Sequence, residues 1–177
     1  LPPVEVIPGA LNTAINNTGG GCIRGLEVAS TQTYDFLPGF WSGLGFSGSY
    51  SYTESNIKQQ TDLSGSTVDI TLPGLSETVY SATLFYDWED FSTRINARYR
   101  DRFVSEQVAV ETQLAFFDDE TVIDYQASYA INDNLLVLFQ VNNLTDEPTK
   151  TYFNQTAQTG TVQFFGRQYF LCISYSM

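Results

Sequence analysis

Three arginines in one alternating segment are the residues whose spacing most clearly indicates chemistry. Arg94, Arg98 and Arg100 are separated by even intervals, so all three share one face if the segment is a strand. Guanidinium groups bind carboxylate or phosphate groups through charge-assisted hydrogen bonds. Two interpretations follow: the arginines recognise an anionic partner, or they are paired internally with carboxylates such as Asp124.

Four aromatic residues in or beside long polar connections form a second candidate site. They are the adjacent pairs Phe116 with Phe117 and Tyr152 with Phe153. Flat apolar rings stack on sugar rings and can also hold a siderophore. The alternative is that these rings pack the connections against one another. Both interpretations are compatible with the sequence.

Composition argues against several classes of function. The chain has no histidine, which removes the usual general base and the commonest transition-metal ligand. Lys and Arg number 8 against 20 Asp and Glu, a balance that disfavours binding to a phosphate backbone. No nucleophile–base pair, phosphate-cradling loop or metal-ligand spacing occurs. Cys22 and Cys172 are either one disulfide or two isolated small residues. The sequence therefore predicts no enzyme, cofactor, metal or nucleic-acid partner.

The elements that position these residues are predicted to be strands throughout. Tyr and Phe are abundant, and apolar and polar residues alternate over segments of about ten residues or more. This period-2 pattern predicts seven strands, near residues 22–34, 44–57, 77–88, 91–106, 120–131, 135–144 and 164–177.

The connections between these strands alternate in length. Short to moderate connections at 35–43, 89–90 and 132–134 carry turn residues, whereas those at 58–76, 107–119 and 145–163 are longer and more polar. Outer-membrane barrels have short periplasmic turns and long extracellular loops. A soluble sandwich has no reason to sort its loops in this way, so the alternation favours a membrane barrel.

The two faces of the strands differ in the manner of such a barrel. Phe91, Ile95 and Tyr99 share one face of the fourth strand, opposite Arg94 and the two other arginines. An arginine that faces lipid at the bilayer midplane costs about 2–4 kcal/mol, so the arginines and Asp124 are expected to face the lumen. Aromatic residues at strand ends and the length of the strands also favour the membrane.

Several motifs resemble the C-terminal barrel of TonB-dependent receptors, over residues 19–177. The most specific is the run Asn142, Asn143, Leu144, Thr145, Asp146, Glu147, Pro148. Further similar stretches are Gly19–Gly21 leading to Arg24–Glu27, Asp35–Phe40, Leu72–Ser76 and the ending Gly166–Met177. The last residue departs from the family pattern, since barrels of this class usually end in Phe.

The resemblance implies an antiparallel up-and-down transmembrane β-barrel of about 22 strands, filled by a plug domain. Residues 22–177 would be its last seven strands, and residues 1–21 a remnant of an extracellular loop, so the chain would be a fragment. Implied partners are outer-membrane lipid, the plug and TonB through N-terminal sequence, and the barrel assembly machinery through the C-terminal strand.

The implied function is uptake of a scarce solute, an oligosaccharide or an iron–siderophore complex, across the outer membrane of a Gram-negative cell. In that setting the arginines would line an anionic ligand's path or dock the plug. Two alternatives remain: a passive porin-like or structural outer-membrane barrel, and a soluble β-sandwich that acts as a binding module.

Overall fold

The computed structural model describes residues 20–60, 67–110, 113–153 and 155–176. These residues form strands joined by turns, with one short 3₁₀ helix at Gly39–Gly43. The strands are β1 (Gly21–Thr33), β2 (Leu44–Gln60), β3 (Thr67–Ile70), β4 (Thr78–Trp88), β5 (Phe91–Arg100), β6 (Phe103–Val110), β7 (Gln113–Phe117), β8 (Glu120–Asn132), β9 (Leu135–Asn142), β10 (Thr149–Phe153), β11 (Gln155–Gln163) and β12 (Gln168–Tyr175).

Most of the chain forms one antiparallel sheet, here called the main sheet. Its order is β1-β2-β4-β5-β8-β9-β12, with the short β3 paired to the far end of β2. The seven ordered strands correspond one to one with the seven predicted, so the predicted all-β, up-and-down architecture is confirmed. In the described part of the chain, β1 and β12 each pair on one side only, and the sheet is open.

Short turns lie along one edge of the main sheet, here called the turn edge. They join β1 to β2, β4 to β5 and β8 to β9. The β4–β5 turn consists of Glu89 and Asp90, and Glu89 adopts a left-handed backbone with φ of 49°. The three longer connections lie along the opposite edge, here called the loop edge. The predicted alternation of short and long connections therefore holds in the structure.

The longer connections contain more regular structure than the sequence suggested. β6, β7, β10 and β11 form a separate antiparallel second sheet, in the order β11-β10-β7-β6. The predicted fourth strand at 91–106 is not continuous, because β5 ends at Arg100 and β6 begins at Phe103. Residues 1–19 of the predicted loop at 1–21 lie outside the described residues. Gly21, the last residue of that predicted loop, is the first residue of β1. Met177 also lies outside the described residues.

Strand register gives the main sheet one apolar and one polar face. Tyr80 pairs with Tyr99 and Leu84 with Ile95 on the apolar face, and the two tyrosine rings stack 4.7 Å apart. Hydroxyl groups bridge strands on the polar face, as Ser49 Oγ does to Ser81 Oγ at 2.8 Å. These contacts follow from the period-2 alternation, which puts alternate residues on opposite sides of the pleat.

None of the described residues covers the apolar face. Leu84 is 59% exposed, Leu171 70% and Ile173 69%. Among the described residues, the buried hydrophobic side chains are Val104, Val141 and Tyr152. A soluble sandwich would bury these leucines and tyrosines between two sheets, so the structure does not support that alternative. No helix in the described ranges has the length and apolarity to cross a membrane.

Candidate functional site

The polar face of β5 and β8 carries the predicted arginines. Arg98 Nη2 lies 2.9 Å from Asp124 Oδ2, and Arg100 Nη2 lies 3.5 Å from Glu120 Oε1. Arg100 is directly opposite Glu120, whereas Arg98 is opposite Val122 and reaches Asp124 diagonally, since Asp124 is opposite Asn96. The side chains of Arg98 and Arg100 remain 59% and 41% exposed, so water screens both pairs and each contributes about 0–1 kcal/mol.

Arg94 and Arg100 differ from Arg98 in their surroundings. Arg94 lies opposite Phe85 and Gln126 and makes no ion pair with any described residue. The Arg100 guanidinium lies 4.2 Å from the centroid of the Phe103 ring, a cation–π contact. Within the described part of β5, the polar face therefore presents an unneutralised guanidinium at Arg94 and two neutralised arginines nearer the loop edge.

Asp124 also holds the turn that follows β9. Its Oδ1 accepts a hydrogen bond from the backbone N–H of Asn143 at 3.0 Å, while its Oδ2 accepts from Arg98. Beside it, the backbone N–H of Leu144 donates to the carbonyl of Ile123 at 2.7 Å. The Asp124 carboxylate thus pairs with Arg98 in the main sheet and also holds the start of the connection to the second sheet.

The motif at residues 142–148 forms a tight turn that depends on Asn143. Asn143 and Asp146 both have positive φ, 54° and 59°. The Asn143 amide closes the turn, accepting from Glu147 N at 2.8 Å and donating to Glu147 O at 3.0 Å. Asn and Asp tolerate the left-handed backbone better than most residues, because their short polar side chains hydrogen-bond locally. The geometry of the turn therefore explains why Asn and Asp occupy these two positions.

This turn moves the chain from the main sheet to the second sheet. Pro148 immediately precedes β10, and Arg167 Nε donates to the carbonyl of Leu144 at 2.7 Å. Arg167 itself immediately precedes β12. The motif consequently fixes where the chain leaves the main sheet after β9 and where it returns at β12.

The four predicted aromatic residues lie in β7 and β10 rather than in irregular loops. Phe116 stacks on Tyr152 with ring centroids 5.2 Å apart, and Phe117 stacks on Phe103 at 4.8 Å. Both pairs are direct cross-strand partners in the second sheet. Tyr152 is 5% exposed, whereas Phe116 is half-buried. Phe153 faces the other way from Tyr152, beside Gly160 of β11.

A half-open cavity of about 530 Å³ lies at the loop edge, between the β3–β4 connection and the second sheet. This volume is within the range of ligand-binding clefts, about 300–1,000 Å³. The backbone N–H of Gly74 donates to the carbonyl of Val104 at 2.8 Å and joins the two walls. The lining residues are Thr71, Leu75, Glu77, Asp101, Arg102, Phe103, Val104, Phe116, Tyr152, Gln155 and Thr156.

Sequence reasoning found Phe116 and Tyr152 of this cavity but missed its polar residues. Glu77, Asp101 and Arg102 fall within the predicted strands 77–88 and 91–106, whereas in the structure they lie just outside the ends of β4, β5 and β6, where charged residues are common and carry no specific signal. Cys22 and Cys172 are free and exposed. Within the described ranges, no three His, Cys, Asp or Glu side chains are grouped so that they could hold a metal ion.

A protein-family comparison matches residues 3–144 to the model described as TonB dependent receptor-like, beta-barrel. The match includes six of the seven ordered strands of the main sheet and ends at Leu144, inside the turn after β9. Comparison with curated proteins and with solved structures found none that matches the chain. Members of this family are outer-membrane transporter barrels rather than enzymes, and the family implies a plug domain and TonB as partners. Because the match covers most of its length, this chain belongs to the TonB-dependent receptor family and forms part of its β-barrel.

Proposed function

We propose that the protein takes up a scarce solute across the outer membrane, with energy supplied by TonB through the plug domain. The solute is an oligosaccharide or an iron–siderophore complex, the two classes that both the aromatic residues and the family suggest. The observation that carries the proposal is the family match, joined to a sheet that leaves a continuous apolar face uncovered.

The energetics of that face support a lipid environment. Each Å² of apolar surface removed from water contributes about 25 cal/mol, and the face exposes large side chains on all seven ordered strands of the main sheet. Lipid covers this surface without requiring a second protein layer. The polar face then borders the lumen, where the Arg94 guanidinium is available to an anionic solute or to the plug, while Arg98 and Arg100 are paired with Asp124 and Glu120.

The distribution of connections supports a direction for uptake. In outer-membrane barrels the long connections face the outside and the short turns face the periplasm. In this chain the long connections bear the second sheet and the cavity, where an incoming solute would first make contact. The C-terminal strand β12 would be the segment that the barrel assembly machinery recognises.

The test is uptake by cells that carry the natural gene product with its upstream sequence. Labelled maltooligosaccharides and ferric siderophores are supplied to cells with and without functional TonB, and the protein's heat-modifiable mobility is checked in the outer-membrane fraction. Uptake that requires TonB supports the proposal. Uptake that is equal without TonB indicates the passive porin-like barrel, and a soluble product without a mobility shift contradicts both.

A further inference from the structure

The cavity at the loop edge combines aromatic rings with unneutralised carboxylates, which narrows the kind of solute it accepts. We propose that this cavity binds an uncharged oligosaccharide rather than an anionic iron–siderophore complex. The inference rests on the proposed uptake function and assigns the substrate class at one site. Six lining residues supply the relevant chemistry: Glu77, Asp101, Arg102, Phe103, Phe116 and Gln155.

The apolar part of the cavity consists of two parallel ring stacks. Phe116 covers the buried Tyr152, and Phe103 lies parallel to Phe117 with an interplanar angle of 4°. Phe116 and Phe103 are both part-exposed at the cavity wall. Phe116 offers ring surface to a ligand, whereas Phe103 has Phe117 and the Arg100 guanidinium against its ring and offers its edge. A sugar ring has an apolar face of C–H groups that packs against such a surface.

The polar part supplies acceptors and donors for hydroxyl groups. Asp101 Oδ1 already accepts from the backbone N–H of Arg102 at 2.8 Å, whereas the Glu77 carboxylate makes no hydrogen bond or ion pair with any described residue. The Arg102 guanidinium and the exposed Gln155 amide add donors at the same cavity. Hydroxyl groups need both kinds of partner, because each one donates one hydrogen bond and accepts others.

The sign of the charge distinguishes the two solute classes. The lining includes two carboxylates, on Glu77 and Asp101, against the single guanidinium of Arg102. The nearby Arg100 is already paired with Glu120 and lies over the Phe103 ring. A ligand that carries several negative charges would be repelled by the net negative charge of this cavity. An uncharged glycan would experience no such repulsion.

The cavity walls come from separate connections that hydrogen bonds hold in place. The β3–β4 connection is anchored by Leu72 N donating to Ser55 Oγ at 2.9 Å, in addition to the Gly74–Val104 bond. On the other side, the Asn143 turn sets the start of β10 and hence the position of Tyr152. A cleft held at both walls binds with less loss of conformational entropy than an unstructured loop would.

Binding to the full-length receptor in detergent tests the assignment. A glycan array with neutral and uronate-containing oligosaccharides is screened beside ferric siderophores, and the best neutral ligand is then titrated by calorimetry. Phe116→Ala is expected to weaken binding about tenfold or more, the effect of losing roughly 1.4 kcal/mol of contact. Glu77→Gln is expected to weaken it severalfold, because a charged acceptor is replaced by a neutral one.

Matched controls separate the cavity from the rest of the loop edge. Phe164→Ala removes an exposed ring and Asp119→Asn removes an exposed carboxylate, and neither residue lines the cavity. Both variants are expected to keep the wild-type affinity. All variants must retain heat-modifiable mobility, so that loss of binding is not confused with loss of folding.

A second measurement locates the ligand without removing a wall residue's ring. In a Cys22→Ser, Cys172→Ser background, Gln155→Cys at the cavity and Gln163→Cys on β11 are labelled with a maleimide, with and without glycan. Protection is expected at position 155 and not at 163. Equal labelling at both positions in the presence of saturating glycan would place the ligand elsewhere.

The outcomes also separate this inference from the proposed function. No neutral glycan bound, or an anionic complex whose affinity rises in Glu77→Gln, would overturn the assignment. TonB-dependent uptake that is unchanged by Phe116→Ala would leave the proposed function standing and remove the cavity from it. Glycan binding that depends on the cavity, without TonB-dependent uptake, would support the cavity as a glycan site and contradict the proposed uptake function.

Discussion

The main sheet and the second sheet solve the same problem, the burial of apolar side chains, in different ways. The main sheet leaves its leucines and tyrosines exposed on one face and pairs its strands in nearly continuous register. The second sheet is shorter and its register shifts in two of its three pairings. Yet Val104 and Tyr152, two of the three buried hydrophobic residues in the described ranges, belong to it.

We attribute the difference to the solvent proposed for each sheet, which is lipid at the apolar face of the main sheet and water around the second sheet. A sheet that faces lipid needs every backbone group paired, because no water is present to satisfy an open one, but it needs no protein core. A sheet in water can tolerate bulges and must bury some apolar surface against itself. The stacked pairs Phe116–Tyr152 and Phe103–Phe117 provide that burial within the second sheet.

The largest expected effect comes from putting a charge on the apolar face of the main sheet. Leu171→Arg or Ile173→Arg should cost about 2–4 kcal/mol each if the face meets the middle of the bilayer. Ser174→Arg, on the opposite face of the same strand β12, should cost much less. The yield of heat-modifiable barrel in the outer membrane measures the difference. Equal yields for all three variants would contradict the assigned facing.

The main sheet could be predicted from the sequence, whereas the second sheet could not. The seven strands of the main sheet were predictable because their alternation extends over many residues, as in Phe91–Tyr99. The sequence also pointed to Asp124 as a partner for the arginines, although not to Glu120. The motif at 142–148 was noticed through resemblance alone, and only the structure gives its physical reason in the left-handed Asn143.

The second sheet was missed because its strands are short and irregular. β7 and β10 have five residues each, too few for an alternating pattern to stand out from a polar connection. The break at Asp101 and Arg102 was hidden within a longer alternating run. The cavity could not be predicted either, since its walls are brought together by contacts such as Gly74–Val104 between residues distant in sequence.

A comparable but more local effect is expected at the turn that joins the two sheets. Asn143→Ala removes two side-chain hydrogen bonds and puts a Cβ without local polar partners in a left-handed backbone, at a cost of about 2–4 kcal/mol in total. Asn143→Gly keeps the backbone freedom and should recover about 1–2 kcal/mol of that loss. Urea unfolding of the reconstituted barrel measures both.

The position of the damage tests the comparison further. Because the turn governs entry to β10, Asn143→Ala should raise the proteolytic sensitivity of the second sheet while the main sheet keeps its heat-modifiable mobility. Asn134→Ala, which also removes an amide hydrogen bond but at the turn edge, is the matched control and should leave the second sheet protected. Loss of the whole barrel in Asn143→Ala would show that the two sheets are not separable.

The smallest effect is expected at the Arg98–Asp124 pair. Arg98→Gln leaves Asp124 bonded to Asn143 and should cost less than about 1 kcal/mol, because the guanidinium is largely exposed. Asp124→Asn removes the ion pair and replaces the charged acceptor of the Asn143 N–H with a neutral amide oxygen, so its cost should exceed that of Arg98→Gln.

A double-mutant cycle on Arg98 and Asp124 determines whether the contact of Asp124 with Arg98 or its contact with the Asn143 N–H contributes more to stability. A coupling energy near zero, with the full cost retained in Asp124→Asn, would mean that Asp124 acts chiefly on the turn and that Arg98 is free to contact a solute or the plug. A coupling energy equal to the whole cost of Asp124→Asn would mean the opposite. The carboxylate would then belong to the main sheet, and the turn would need no support from it.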